Sequence, residues 1–173
     1  MSIVVINGTN NASSRVNAIA HYISEKVQAT TINVFDLPAN DLLRTNFASQ
    51  AIQDANETVE KANVIVLLTP IYKASFTGIL KTYIDLLPEK AFVGKTIIPI
   101  IVGGTERHQL VIDFSLKPLA SALGATQILQ GVFVHDQQIQ RNNEAFDINS
   151  EVITRIDEQL HQSTGTKQQF THA

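Results

Sequence analysis

Apolar residues along this chain gather in five short runs: Ile3 to Ile6, Thr31 to Phe35, Val64 to Leu68, Thr96 to Val102 and Gln127 to Val134. Each is rich in β-branched or apolar residues and has strand length. Three are nearly continuous in Val, Ile and Leu, which a parallel sheet covered on both faces requires, because neither face of its strands meets water. Between the runs lie segments whose apolar residues recur at the helical period: Val16 to Val27, Ser49 to Lys61, Thr77 to Leu87, His108 to Leu123 and Ser150 to Gln162. Pro88 follows the third segment and Gly124 the fourth, where helices commonly stop.

Five alternations of strand and helix, joined by right-handed crossovers, predict an α/β three-layer sandwich. The expected sheet is parallel and five-stranded, in the flavodoxin-like order 2-1-3-4-5. Residues 1–163 read as a single domain, and the polar, aperiodic stretch Thr164 to Ala173 reads as a C-terminal tail. The third and fourth helices carry apolar residues on more than one side: Ile79, Leu80, Tyr83, Ile84, Leu86 and Leu87 in one, Leu110, Val111, Phe114, Leu116, Leu119 and Leu123 in the other. A helix apolar beyond one stripe is buried on a second side, against its own core or against another subunit.

Composition narrows the chemistry. The chain has 173 residues, 44% hydrophobic and 17% charged, with a net charge of −3 and mean hydropathy +0.05. No block of Lys or Arg could track a nucleic acid backbone. Cysteine is absent, which removes disulfides, thiolate metal sites and Cys nucleophiles. His21, His135, His161 and His172 show no metal-ligand spacing, so no metal centre is expected. The longest apolar runs fall far short of the roughly 20 residues that cross a bilayer, and Met1 leads directly into a strand without an export signal, so a cytoplasmic protein is expected.

In open α/β sheets ligands bind beyond the carboxyl ends of the strands, near the point where strand order reverses. The loops after the first, third and fourth strands should meet there. They read NGTNNASSR (Asn7 to Arg15), TPIYKASFTG (Thr69 to Gly78) and GGTERH (Gly103 to His108). The first ends at a helix start, where unsatisfied N–H groups and the macrodipole favour a phosphate; Thr9, Asn10, Asn11, Ser13 and Ser14 add donors. It lacks the glycines of the Rossmann fingerprint and of a Walker loop, which leaves room for a monophosphate. Gly103 and Gly104 allow a flat ligand to approach the backbone. Pro70 and Tyr72 stand on the opposite side. Together the three loops describe a slot with a phosphate pocket at one end.

The block TPIYKASFTGILKTYIDLLP, the Gly-Gly pair after the next strand, and DFSLKPLASALGA (Asp113 to Ala125) resemble the NADPH-dependent FMN reductase family, nearest to the reductase component of two-component alkanesulfonate monooxygenase systems. That resemblance implies a flavodoxin-like fold that binds FMN, takes hydride from NADPH or NADH, and hands reduced flavin to a partner monooxygenase. It places the FMN phosphate at Thr9, Asn11, Ser14 and Arg15. It places the isoalloxazine ring between Pro70, Ile71 and Tyr72 and the loop Gly103, Gly104 and Thr105. Asn11 stands where the family has arginine, which removes a charge-assisted contact of roughly 1.5 to 3 kcal/mol unless Arg15 replaces it. Phe114 stands where sulfonate-associated members often carry Tyr or His, in a region the family links to a local helix irregularity and to oligomer contacts. A homodimer or homotetramer through helices 77–87 and 108–123 is the expected assembly.

Hydride transfer needs stacked rings and no protein nucleophile, so the protein's task is orientation and charge. Lys73, or the amides of Gly104 and Thr105, is expected to stabilise charge on the reduced ring. A receiver domain, which shares the fold, is excluded by Asn7-Gly8, Thr69-Pro70 and His135 where its acidic residues and lysine would stand. A quinone or azo reductase with retained FMN and a flavodoxin-type electron carrier are the remaining alternatives.

Overall fold

The computed structural model describes residues 1–142 and 145–165. Its centre is a sheet whose strands follow the expected order. β1 (Ile3–Asn7) lies between β2 (Thr30–Asn33) and β3 (Val64–Tyr72), and β3 pairs in turn with β5 (Thr96–Gly103), all parallel. The sheet has seven strands rather than five. One addition is β4 (Ser75–Phe76), which turns back antiparallel on the end of β3. The other arises because the fifth apolar run is divided into β6 (Gln127–Ile128) and β7 (Val132–His135), both paired with β5. The division has a physical cause in Pro99, which has no N–H to donate to the ladder. Opposite it, Gly131 adopts φ +87°, and a Cβ there would stand 2.5 Å from the Pro99 carbonyl and 2.7 Å from its ring. The strand therefore breaks and resumes around the proline.

Alternate residues of each strand feed two cores, as expected for a sheet covered on both faces. Ile3 and Val5, with Val64, Val66, Ile98 and Ile100, pack beneath α1 (Val16–Val27) and α6 (Ser150–Ser163) through Ile19, Ile23, Val152 and Ile156. Val4 and Ile6, with Ile65, Leu67, Ile97 and Ile101, pack beneath α3 (Gln50–Glu60), α4 (Gly78–Ile84) and α5 (Lys117–Ala122) through Ile52, Leu80, Tyr83 and Ala120. The helices thus form two outer layers. The Tyr83 phenol is fully buried without a hydrogen-bond partner among the described residues, and burial pushes its pKa up from the ordinary value.

The segment expected as one helix from His108 to Leu123 is three. A 3₁₀ turn (Glu106–Gln109) precedes a π-helix (Ile112–Leu116), and α5 follows. Pro118 cannot donate to the carbonyl four residues back, and Lys117 donates instead to Ile112, five residues back. The helix widens as a result, and Phe114 is left 76% exposed on it. Five shorter elements among the described residues were not in the predicted pattern: two 3₁₀ turns (Val34–Asp36 and Asp136–Gln138), α2 (Ala39–Leu43), and the hairpin of β8 (Ile139–Asn142) and β9 (Ala145–Ile148). The expected tail lies outside the described residues apart from Thr164 and Gly165. No helix among the described residues is long and apolar enough to cross a membrane.

Candidate functional site

The loops that follow β1, β3 and β5 are held together by hydrogen bonds that only the fold makes visible. Gly8 donates to the Leu68 carbonyl at 2.7 Å. The Thr77 hydroxyl donates to the Gly8 carbonyl and accepts from the Leu80 amide, capping α4 while tying its start to the first loop. Gly8 has no space for a side chain, since a Cβ would meet the Leu80 Cβ at 2.7 Å. Packing of α4 against this turn therefore requires the glycine. Thr69, also fully buried, donates to the Pro70 carbonyl at 2.8 Å and accepts from the Thr77 amide at 3.2 Å.

The first loop is organised by asparagines. Asn7 donates to Asn17 at 2.7 Å and to Asn33 at 3.1 Å, and Asn17 donates in turn to the carbonyls of Ala12 (2.7 Å) and Asn11 (3.2 Å). The Asn11 side chain accepts from both the amide and the hydroxyl of Ser13, each at 2.8 Å. Asn11 therefore braces the turn internally, a role an arginine could not take because it has no acceptor. What the loop leaves unspent is informative. The amides of Asn10, Asn11 and Ala12 have no acceptor among the described residues. The Thr9 hydroxyl is fully buried and has no partner among the described residues. A buried hydroxyl without a partner carries a free-energy cost, and here it belongs to the loop whose free amides lead into a twelve-residue helix. That donor set fits a phosphate.

Arg15 caps the same helix, but its guanidinium reaches across the sheet edge and donates to the backbone carbonyl of Asp136 at 2.6 Å. It thus joins the first loop to the segment after β7. Ser14 turns its hydroxyl toward the Val16 amide at 3.3 Å.

On the opposite wall Pro70 and Ile71 are buried, while Tyr72 is half exposed and donates to the Asn10 side chain at 3.3 Å, bridging the two loops. Lys73 and Ala74 form the turn between β3 and β4 with φ of +50° and +60°. Two successive left-handed residues make a hairpin turn that usually takes Asn-Gly. Lys73 is exposed, and no ion pair holds it among the described residues.

The Gly-Gly loop departs from its expected reading. A Cβ at Gly103 would lie 2.6 Å from His108 Nδ1 and 3.0 Å from its Cβ, so the imidazole fills the space the glycine leaves. Gly104 is exposed and faces only Asp136, whose Oδ2 would be 3.6 Å from a Cβ there. Of the two glycines, Gly104 is the one that leaves the backbone open to a ligand. Thr105 is exposed and accepts from the His108 amide at 3.0 Å.

Thr9, Asn11, Ser14, Arg15, Pro70, Ile71, Tyr72, Lys73, Gly103, Gly104 and Thr105 therefore lie on the strand ends and following loops at one edge of the sheet. Sequence reasoning missed Asn7, Asn17, Thr69, Thr77 and Asp136. A polar residue closing an otherwise apolar strand, as Asn7 and Thr69 do, was the available signal. Among the described residues no group of three or more His, Asp or Glu is placed to hold a metal ion.

Comparison with known proteins meets this geometry. A family model described as NADPH-dependent FMN reductase matches residues 1–140. The chain is 37% identical over 171 residues to the FMN reductase (NADPH) of Pseudomonas putida, covering 96% of this chain and 86% of that one. It is 35% identical over 165 residues to the FMN reductase (NADPH) of Escherichia coli strain K12, covering 92% and 86%. Among solved structures, the apo form of the NADH:FMN oxidoreductase EMOB superposes with a TM-score of 0.78 at 28% identity, covering 98% of this chain and 91% of that one.

Proposed function

The chain belongs to the NADPH-dependent FMN reductase family, and from that premise we propose how its own residues hold the flavin and what becomes of it. As a member it is an NAD(P)H:FMN oxidoreductase, with FMN and NADPH or NADH as its substrates. FMN, when bound, supplies the hydride acceptor. The protein supplies position, exclusion of water and charge.

In this reading the Thr9 hydroxyl and the free amides of Asn10, Asn11 and Ala12 receive the phosphate, with Ser14 and Arg15 beside them. The unpartnered, fully buried Thr9 hydroxyl is the observation that carries it. Pro70, Ile71 and Tyr72 form one wall for the ring, and Gly103, Gly104 and Thr105 form the other. The amides of Gly104 and Thr105, with Lys73 above the hairpin turn, face charge that develops on reduction. His108, by filling the space over Gly103, fixes the path of that second wall.

Asn11 gives the phosphate no charge, and Arg15 is shared with the Asp136 carbonyl. Both features favour a flavin that is bound and released as a substrate, and in this reading the reduced FMN passes to a partner monooxygenase. The reaction is placed in the cytoplasm, in one unit spanning residues 1–163. The side chains available for a homodimer or homotetramer contact are Leu110 and Phe114, 58% and 76% exposed one helical turn apart. The apolar residues of α4 are consumed by the chain's own core, so the contact moves to the helix that follows β5.

Purified protein mixed with FMN and each nicotinamide in turn tests the reading, with flavin retention and NAD(P)H oxidation recorded together. Turnover that rises with added free FMN is the expected result. Flavin retained without NAD(P)H consumption would make the protein an electron carrier instead.

A further inference from the structure

The carboxylate of Asp136 stands against the open glycine of the site, and no lysine or arginine pairs with it among the described residues. We propose that Asp136 sets the order of affinities for the two redox forms of the flavin, holding reduced FMN less tightly than oxidised FMN and so favouring its release. The proposal rests on the FMN site described above.

Three observations carry it. Asp136 Oδ2 would lie 3.6 Å from a Cβ on Gly104, which places the carboxylate beside the backbone that forms one wall for the ring. Arg15, the nearby cation, is bound to the backbone carbonyl of Asp136 at 2.6 Å, and no ion pair forms between the guanidinium and the Asp136 carboxylate. His135 approaches the other carboxylate oxygen through Nδ1 at 3.1 Å, but that same nitrogen accepts from the Gln137 amide at 3.2 Å. The group facing the carboxylate is thus an imidazole that is also engaged by the Gln137 amide, and no permanent cation neutralises it among the described residues. The negative charge therefore remains directed at the slot.

Hydride transfer from NAD(P)H moves two electrons and one proton to the flavin ring and leaves oxidised nicotinamide. The ring gains one negative charge unless a second proton follows from solvent. A fixed carboxylate at this place opposes that added charge, while it acts on the phosphate equally before and after reduction. Arg15 attracts the phosphate in both forms. The pair thus divides the work, with one residue loading the flavin and the other biasing its departure once reduced. Because the Asp136 side chain is 42% exposed, solvent screens the effect to about threefold between the two forms.

The test compares wild type, Asp136→Asn and a charge-matched change far from the site, Glu57→Gln, after equal melting temperatures establish that all three are folded. Dissociation constants are measured for oxidised FMN by fluorescence quenching and for reduced FMN under anaerobic conditions, with the midpoint potential of the bound flavin from dye equilibration. Asp136→Asn is expected to lower the ratio of reduced to oxidised dissociation constants about threefold, and so to raise the two-electron potential by about 14 mV. Glu57→Gln should leave both unchanged. Added salt should lower the same ratio in wild type, which keeps the test decisive if the asparagine variant does not fold. An unchanged ratio in Asp136→Asn, or a wild-type ratio indifferent to salt, overturns the role of Asp136 while leaving the FMN site intact. A wild type that neither binds FMN nor consumes NAD(P)H overturns the site reading itself, and the proposal with it.

Discussion

The loop after β1 and the loop after β3 face each other across the same slot but are held by different means. The loop after β3 is locked from behind: Thr69 and Thr77 are fully buried, every hydroxyl bond they make is to backbone, and β4 adds a short ladder. The loop after β1 is braced by asparagine side chains that run from buried Asn7 to exposed Asn11, and it keeps amides and one hydroxyl unspent among the described residues. One wall is finished by the fold, and the other is left for a ligand to complete. If that contrast is real, substitutions on the first side act on stability and those on the second act on binding.

The largest effect should follow from Gly8→Ala, at the point where the two regions touch. The new Cβ would press on backbone-proximal Leu80 Cβ at 2.7 Å, and overpacking of this kind typically costs about 1 to 3 kcal/mol. Denaturant unfolding should show a lower midpoint at unchanged slope. Thr77→Val comes next. It leaves the Gly8 carbonyl and the Leu80 amide buried without their partner, at a cost of roughly 1 to 3 kcal/mol. Serine at the same position should restore most of the loss, whereas valine, of similar shape, should not.

Thr9→Val separates the two regions. In the free protein the Thr9 hydroxyl has no partner to lose, so the melting temperature should hold or rise. FMN binding should weaken about 10- to 150-fold, the worth of one hydrogen bond to a charged group. A destabilised variant with unchanged FMN affinity would reverse the assignment and place the first loop with the second as scaffold.

Much of this contrast was legible in the sequence, and the rest was hidden for identifiable reasons. Strand order, the two-sided burial and the three converging loops follow from runs such as Val64 to Leu68, because burial on both faces leaves no polar alternation to confuse the pattern. The division of the fifth strand was not legible, since it depends on Pro99 of a neighbouring strand meeting Gly131 in register. The π-helix was only half visible: Pro118 is in plain sight, but whether a helix breaks or widens there depends on what packs around it. Thr69 and Thr77 gave no sign in the sequence of the bonds that tie the loops together, because those partners lie eight and sixty-nine positions apart. Gly103 was read as a place for a ligand, yet its space belongs to His108. A glycine shows that a side chain is excluded and does not show by what.

The smallest expected effect lies at the hairpin tip. Lys73 and Ala74 occupy left-handed backbone, φ +50° and +60°, where a residue with a Cβ is strained by about 1 to 2 kcal/mol. Glycine at 74 removes that strain but loses more freedom on folding, a counter-cost of roughly 0.5 to 1 kcal/mol. Ala74→Gly should therefore stabilise the protein by only about 0.5 to 1 kcal/mol, measurable as a small rise in the denaturation midpoint. FMN affinity should stay the same, because the turn lies beyond the ladder pairs Ile71 with Phe76 and Tyr72 with Ser75 that position the wall. A gain in stability accompanied by weaker FMN binding would mean that the strained turn is itself part of how Tyr72 reaches Asn10. The second loop would then be less finished than its buried hydroxyls imply, and the contrast between the two walls would narrow to the phosphate end alone.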